Sequence, residues 1–321
     1  MIRQFDFAPL DGITRSVFRR VWARRFGGAD RIFVPFFSPT HQHVITPRDL
    51  REITREGAED LPLVPQVMSC LAPDFLWAAE VLGDMGYPEV NLNLGCPSGT
   101  VTAKGKGSGF LARPEDLDAF FDQVFSQVHL PVSVKTRLGY QTPEEFPRLL
   151  EIFNRYPIVC LTIHARVRTE KYKGPLHLDV FEAALQKSRN PVCYNGDLQT
   201  VAGVRELERR FPAAEAVMIG RGGVADPALF RKLRGGSAAT REELQSFTQE
   251  LYQEYQAFYG QVGTAAQRMR EVWFYLIHLF EDADRLNRPM RRFRTPGEYE
   301  AAEAAIFREL PLRQDAEGVL A

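Results

Sequence analysis

Eight short apolar runs, separated by amphipathic stretches, constrain the fold of this chain more than any other feature. The runs cover residues 5–10, 32–37, 63–68, 90–96, 132–138, 159–165, 192–195 and 216–220. Apolar runs of this length that alternate with helical patterns are typical of parallel strands joined by helices, an α/β arrangement. Eight such units in about 230 residues predict a closed (βα)8 TIM barrel, with a doubly wound open sheet as the alternative.

The strand pattern stops after Leu233, and a helical pattern replaces it. Gly235-Gly236-Ser237 is a short break before three helical stretches at residues 241–259, 264–280 and 296–310. The sequence therefore predicts two domains, a barrel of residues 1–237 and a small all-helical domain of residues 238–321.

Composition limits the class of protein. With 45% hydrophobic and 25% charged residues, and no apolar stretch of about 18 residues, the chain has no candidate membrane span. Its N-terminus lacks a signal-peptide pattern, which predicts a cytoplasmic protein. The four cysteines form no C-x-x-C pair, so we expect neither disulfides nor a metal site. The net charge of −1 means that any surface for nucleic acid must be local.

A cysteine at the end of the fourth apolar run is the candidate reactive group. Cys96 lies at the C-terminal end of a predicted strand, where barrels of this kind place their active sites. The following segment, residues 99–109, holds four glycines together with Lys104 and Lys106. This composition predicts a mobile functional loop without a helix. Taken alone, Cys96 also fits an inert buried thiol.

Polar residues lie toward the same end of most runs, either within the run or directly after it. They are Asp11, Gln66, Asn93, Lys135, Arg137, His164, Arg166, Asn195, Asp197 and Arg221. Gln66, Asn93 and Lys135 can satisfy the polar edge of a flat heterocycle, which needs both donors and acceptors. The glycine-rich loops after the last two runs suit a phosphate, to which Arg221 adds charge. This set predicts flavin mononucleotide (FMN), since no G-x-G-x-x-G fingerprint opens a βαβ unit.

Several motifs resemble those of one enzyme family. Residues 8–12 read A-P-L-D-G, residues 93–98 read N-L-G-C-P-S, and residues 134–139 read V-K-T-R-L-G. Residues 195–197 read N-G-D and residues 219–222 read I-G-R-G. In these motifs the chain resembles the flavin-dependent tRNA-dihydrouridine synthases, and the resemblance spans most of the chain.

The resemblance implies a reaction and its residues. Reduced FMN, recharged by NADPH, would deliver hydride to C6 of a uracil ring in RNA, most of all tRNA, while Cys96 protonates C5. Lys135 and His164 would join Cys96 as catalytic residues. The implied flavin contacts are Ala8, Pro9, Leu10, Gln66, Asn93, Lys135, His164, Asn195, Gly196, Asp197, Gly220 and Arg221. The resemblance implies neither a metal nor an obligate protein partner.

The uridine must leave its stack to be reduced, so the enzyme must hold the RNA by its phosphates while the base is extruded. Phosphate contacts require basic residues near the site. Arg137, Arg166, Arg268 and Arg270 are the predicted RNA contacts. The arginines between residues 285 and 294 fit either an RNA contact or a solvated helix end. From Arg241 onward, 10 Arg and Lys stand against 14 Asp and Glu, so the helical domain is not broadly cationic.

The chain departs from the family pattern, and other functions stay open. The family's Asp before N-x-G-C-P is Asn91 here, and its H-G-R is His164-Ala165-Arg166. One alternative is an FMN-dependent barrel oxidoreductase acting on a small molecule such as dihydroorotate or an enone, which needs no RNA surface. Others are an RNA-binding protein with a vestigial flavin site and a Schiff-base aldolase that uses Lys135.

Overall fold

The computed structural model describes residues 1–316 and 318, and its central element is a closed barrel of eight strands in chain order. The strands are β1 Gln4–Phe7, β2 Arg31–Phe37, β3 Leu63–Val67, β4 Val90–Leu94, β5 Val132–Arg137, β6 Leu161–His164, β7 Val192–Asn195 and β8 Ala216–Ile219. Successive strands from β1 to β8 pair in parallel. The barrel closes where the backbone N–H groups of Arg3 and Gln4 donate to the carbonyl of Glu215. The predicted TIM barrel is confirmed.

Helices connect the strands and continue after the barrel. They are α1 Ser16–Arg25, α2 Pro47–Ile53, α3 Ala72–Asp84, α4 Gly99–Thr102, α5 Pro114–Phe125, α6 Phe146–Phe153, α7 Leu178–Lys187, α8 Val201–Arg210, α9 Arg221–Ala225, α10 Leu229–Leu233, α11 Arg241–Tyr259, α12 Val262–Leu276, α13 Asp284–Arg292 and α14 Pro296–Glu309. Short 3₁₀ helices occupy Gly107–Ala112, Pro143–Glu145 and Ile277–Leu279. The helical region after the barrel is therefore confirmed as well.

The barrel interior is filled by apolar side chains from many strands. One buried cluster contains Ala8, Phe33, Val64, Cys160, Cys193, Ala216 and Met218. Asp6 is also fully buried, and its carboxylate accepts hydrogen bonds from Arg31 at 2.7 and 3.1 Å. Burial raises the pKa of Asp6, which the adjacent guanidinium opposes. The interior is thus packed, as expected for a barrel of eight strands.

The chain divides into two compact units that do not follow a single cut in the sequence. One contains Met1–Pro9, Arg31–Gly196 and Glu208–Met218, and the other contains Leu10–Asp30, Asp197–Leu207 and Ile219–Ala321. In the second unit α1 packs on α10 and α11 through aromatic rings. Trp22 meets Phe230 with ring centroids 5.5 Å apart, and Phe18 meets Phe247 at 6.0 Å. The predicted boundary between residues 237 and 238 stays a prediction.

Two local predictions are wrong. Residues 99–109 include helical turns, because α4 begins at Gly99 and a 3₁₀ helix begins at Gly107. The segment after β8 also forms a helix at once, since α9 begins at Arg221, whereas the sequence placed Arg221 in a loop. In both segments the glycines permit close packing against a neighbouring loop, and this tertiary contact outweighs their low helix propensity.

Candidate active site

Polar side chains from β3 to β7 meet at the C-terminal end of the barrel in the first unit. The strand register places Asn93 beside Lys135, and it aligns His164 with both Arg137 and Asn195. These residues were predicted from their position at strand ends, and the structure brings them together there. Their individual roles stay predictions.

Lys135 is held in a fixed position on β5. Its Nζ donates to Asn195 Oδ1 at 2.8 Å, while Asn195 Nδ2 donates to the Met218 carbonyl at 2.8 Å. The second bond fixes the Asn195 amide so that its oxygen faces the lysine. Burial of the ammonium, with a smaller contribution from the charge of Arg137, lowers the pKa of Lys135 to about 7. Lys135 can therefore act either as a cation or as a neutral amine near neutral pH.

Cys96 is fixed by hydrogen bonds to its backbone on both sides. Asn93 Oδ1 accepts from the N–H groups of Gly95 and Cys96 at 3.0 and 2.9 Å. The Cys96 carbonyl accepts from Ser108 Oγ at 2.8 Å and from Ser108 N–H at 3.1 Å. Gly107 has φ +56, and a Cβ there would lie 3.1 Å from Cys96 Cβ. The glycine-rich segment thus packs directly on the cysteine, with its thiol half-buried.

Gln66 lies inside the barrel wall and does not reach solvent. Its side chain is 0% exposed and bonds to Asn91 and Asn93, with distances of 2.7 and 2.6 Å. Ala8 is also buried, within the interior cluster described above. The predicted flavin contacts of Gln66 and Ala8 stay predictions, and these bonds assign Gln66 a further role in holding Asn93.

Two arginines that were predicted to contact RNA are buried and bonded to backbone carbonyls. Arg137 is 1% exposed and donates to the carbonyls of Gly95, Val167 and Lys171 at 2.7 to 3.1 Å. Arg166 is 4% exposed and donates to the carbonyl of Gly174. Burial at this level disfavours a direct RNA contact by either guanidinium. Both instead hold the loop of residues 167–177 against the strand ends.

His164 lies between Arg166 and the aromatic ring of Tyr172. Its Nε2 is 3.5 Å from Arg166 Nη1, and because a guanidinium cannot accept, this nitrogen faces a donor. The Tyr172 ring is 6.1 Å away by centroids and is partly exposed. The sequence did not predict Tyr172 as a site residue. Its contacts depend on how the loop after β6 folds, and the spacing of residues in the sequence does not show this.

The predicted phosphate residues of the second unit bond to one another. Arg221 Nη2 donates to Asp197 Oδ1 at 2.8 Å, and Asp197 has φ +46. A Cβ on Gly222 would clash with the Leu198 carbonyl and lie 2.6 Å from Gln199 Cα. Close approach of these backbones therefore requires glycine at residue 222. Pro9 and Leu10 are partly buried, as is Gly220 at the start of α9.

In the helical region, Arg268 and Arg270 are already paired within the chain. Arg268 donates to Glu271 at 2.9 and 3.0 Å, and Arg270 donates to the Phe293 carbonyl and lies over the Phe293 ring. Their predicted RNA contacts stay predictions. Four exposed arginines have no acidic or carbonyl partner for the guanidinium among the described residues, and they are Arg288, Arg291, Arg292 and Arg294.

Comparison with known proteins decides the family. Residues 6–310 match the family model described as dihydrouridine synthase (Dus). The chain belongs to the dihydrouridine synthase family. It is 31% identical over 280 residues to the probable tRNA-dihydrouridine synthase 1 of Synechocystis sp., covering 83% of this chain and 76% of that relative. The probable tRNA-dihydrouridine synthase of Staphylococcus epidermidis is 31% identical over 237 residues, which cover 71% of each chain.

Solved structures with a similar fold are more distant in sequence. Morphinone reductase in complex with tetrahydroNAD has a TM-score of 0.52 at 13% identity, covering 74% of this chain and 88% of that one. A variant of NCR from Zymomonas mobilis has a TM-score of 0.51 at 13% identity, with coverage of 76% and 90%. At this identity the likeness establishes the barrel fold, and the enzyme class of this dihydrouridine synthase family member comes from the family match.

Two structural features are absent from the described part of the chain. None of its helices combines the length and apolar character that crossing a bilayer requires. Within residues 1–316 and 318, no three His, Cys, Asp or Glu side chains group as metal ligands would. The cytoplasmic location and the lack of a metal stay predictions.

Proposed function

We propose that this dihydrouridine synthase family member reduces uridine to 5,6-dihydrouridine in tRNA, with FMN as cofactor and NADPH as reductant. One observation carries the proposal: Cys96 is fixed at the end of β4, on the strand adjacent to the one that bears Lys135. The names of the relatives from Synechocystis and Staphylococcus support tRNA as the substrate class.

The residues at the strand ends fit a flavin. Lys135 provides an amine with a pKa of about 7, and Asn195 holds it at the rim. As a cation, Lys135 would stabilise negative charge on a flat heterocycle, while Asn93 and Asn195 orient the neighbouring groups. Asp197, Gly220 and Arg221 are the proposed contacts of the cofactor phosphate. When bound, the flavin supplies the hydride, and the protein residues supply orientation, charge stabilisation and the proton.

Cys96 is the proposed acid. Hydride addition at C6 of uracil leaves an electron pair at C5, conjugated with the C4 carbonyl. The Cys96 thiol would donate its proton to C5, so that one hydride and one proton add across the C5=C6 bond and a thiolate remains. The backbone bonds from Asn93 and Ser108 keep Cys96 in one place during this transfer.

The RNA would dock on the four exposed arginines of the helical region. Arg291 and Arg292 end α13, and Arg294 follows it. Arg291 also lies 5.1 Å from the ring centroid of Phe274, which is 45% exposed. Unpaired guanidiniums beside an exposed aromatic ring suit a phosphate backbone with an accessible base. The other arginines after residue 240 have acidic or carbonyl partners for the guanidinium.

The lowered pKa of Lys135 also favours one different function, a Schiff-base aldolase, because a neutral amine at pH 7 is nucleophilic. Such an enzyme would be colourless when purified, and borohydride would trap a substrate covalently on Lys135. A yellow protein that makes dihydrouridine would exclude this function.

The test is product formation on tRNA transcribed without modifications. The purified protein, supplied with FMN and NADPH, should convert uridine to dihydrouridine at one or a few positions, detected by mass spectrometry of the digested tRNA. Dihydroorotate and simple enones serve as competing small molecules. Turnover of these with no product in tRNA or ribosomal RNA would reject the proposal in favour of a small-molecule oxidoreductase.

A further inference from the structure

A continuous chain of buried hydrogen bonds runs from the Cys96 backbone into the barrel wall. The N–H groups of Gly95 and Cys96 donate to Asn93 Oδ1, and Asn93 Nδ2 donates to Gln66 Oε1 at 2.6 Å. Gln66 Nε2 then donates to Asn91 Oδ1 at 2.7 Å, and Asn91 Nδ2 donates to Ser133 Oγ at 2.8 Å. The chain therefore links Cys96 to two residues at which no function was predicted, Asn91 and Ser133.

All the bonds in this chain point in one direction. Each amide donates through its nitrogen toward Ser133 and accepts through its oxygen from the side of Cys96. The arrangement fixes the orientation of every amide, because flipping one would face two donors or two acceptors toward each other. Aligned hydrogen bonds in a low-dielectric interior also polarise one another. The aligned hydrogen bonds thus link the position of Ser133 to the positions of the Gly95 and Cys96 N–H groups, which donate to Asn93.

Because its members are buried, water cannot readily replace the hydrogen bonds of this chain of side chains. Gln66, Asn91 and Ser133 are 0% exposed, and Asn93 is 6% exposed. A buried donor or acceptor that loses its partner must bond to another protein group, because water does not reach it. In this chain of hydrogen bonds, that change displaces the neighbouring amide. Loss of Asn91 would therefore release Gln66, and a released Gln66 no longer fixes Asn93.

We propose that Asn91 and Ser133 are positioning residues for Cys96, acting through Gln66 and Asn93. This inference rests on the proposed function, in which Cys96 delivers a proton. Neither residue touches substrate or cofactor in this role. Their effect is on proton transfer, because a small displacement of the acid reduces transfer strongly while it leaves RNA binding by the exposed arginines unchanged.

The residue type at position 91 sharpens the inference. Asn91 stands where the family pattern has Asp, and both side chains offer an oxygen that accepts from Gln66. An Asp at this position would keep Gln66 in the same orientation, with Ser133 donating its hydroxyl proton instead of accepting. Asn91→Asp should therefore preserve positioning, whereas Asn91→Leu has a similar size and removes both hydrogen bonds.

The experiment compares four variants of the full-length flavin-loaded protein. Asn91→Leu should lower kcat for tRNA reduction by about 100-fold, with KM for tRNA unchanged and a larger solvent deuterium isotope effect. Ser133→Ala should produce a smaller loss of the same kind, and Asn91→Asp should retain most of the activity. Thr162→Val is the control, because Thr162 Oγ1 is buried in β6 with no hydrogen-bond partner among the described residues.

A second readout does not depend on turnover. The alkylation rate of Cys96 by iodoacetamide, followed by peptide mass spectrometry, should rise in Asn91→Leu and stay unchanged in Thr162→Val. Cys70 serves as an internal reference, since it is half-buried and lies outside the chain of bonds.

The outcomes separate the inference from the proposed function. If the wild-type protein makes no dihydrouridine, the proposed function fails, and the alkylation rates still test the positioning. If wild type is active but Asn91→Leu and Ser133→Ala match Thr162→Val in kcat, isotope effect and alkylation, the inference is overturned. Should Asn91→Leu fail to fold, Ser133→Ala decides by the same criteria.

Discussion

At the scale of single residues, Lys135 combines a buried ammonium with a side-chain acceptor from β7, Asn195 Oδ1. The sequence placed Lys135 at the barrel rim but could not show its bond to Asn195, which lies 60 positions further along the chain. Arg137 was assigned to RNA because it is basic and at the rim. Its guanidinium donates to backbone carbonyls that are distant in sequence. Because every residue has a carbonyl, the sequence does not show which of them accept.

The lowered pKa of Lys135 predicts a pH dependence of stability. The pKa is about 7 in the folded chain and 10.5 for a lysine in water, so the unfolded chain binds more protons between these values. Stability should therefore rise with pH across this window, by at most about 1.4 kcal/mol per pH unit from this group. Below pH 7 both states carry the proton and the destabilisation is complete.

Urea unfolding of flavin-free wild type and Lys135→Met, at several pH values from 6 to 10.5, measures this effect. As pH rises, the unfolding free energy of wild type should increase relative to that of Lys135→Met. The comparison removes contributions from other titrating groups. A difference that is constant over the whole window would show that the pKa of Lys135 is not lowered.

At the scale of elements, a helix with strong end signals was predicted well and a helix interrupted by proline was missed. α11 begins after Thr240, whose side chain forms a capping box with Glu243, and ends at Gly260 with φ +65; its bounds match the predicted residues 241–259. α13 was not predicted, because Pro289 lies inside it and its main buried residue is Met290. Tertiary packing, rather than local pattern, decides such a helix.

The close contact between α9 and the loop after β7 predicts that adding one methyl group at Gly222 weakens FMN binding. Gly222→Ala would place Cβ against the Leu198 carbonyl and Gln199 Cα, both backbone atoms that cannot rotate away. We expect this shift in the proposed phosphate loop to weaken FMN binding at least tenfold, about 1.4 kcal/mol. Fluorescence titration of flavin-free protein measures the affinity.

Gly263→Ala is the matched control for that titration, because a Cβ at Gly263 in α12 meets no atom within 4 Å. Its flavin affinity should equal that of wild type. Equal affinity in Gly222→Ala as well would mean that this loop does not hold the phosphate.

At the scale of the whole molecule, the eight alternating apolar runs were sufficient to predict the closed barrel. They did not predict how the chain divides into compact units, since α1 packs with α10 and α11 through rings far apart in sequence. Net charge was equally uninformative about the RNA surface. That surface depends on which arginines lack acidic partners, and ion pairing is a property of the fold.

The proposed RNA surface predicts a change in the salt dependence of binding. Arg291→Gln/Arg292→Gln should weaken tRNA binding and reduce the slope of log K against log salt concentration by about 1.5, from two lost phosphate contacts. The control, Arg285→Gln/Arg308→Gln, removes the same charge from arginines that pair with Glu309. Filter binding at several salt concentrations measures both. Identical slopes for the two variants would place the RNA elsewhere.

The most direct test of the central claim, that Cys96 supplies the proton for a flavin-dependent reduction of tRNA, is a single turnover. The reduced protein is mixed anaerobically with unmodified tRNA, and flavin reoxidation is followed by absorbance. Wild type and Cys70→Ala should reoxidise rapidly and yield dihydrouridine, whereas Cys96→Ala should retain its flavin and reoxidise about 100-fold or more slowly. Equal rates in Cys96→Ala and wild type would contradict the account.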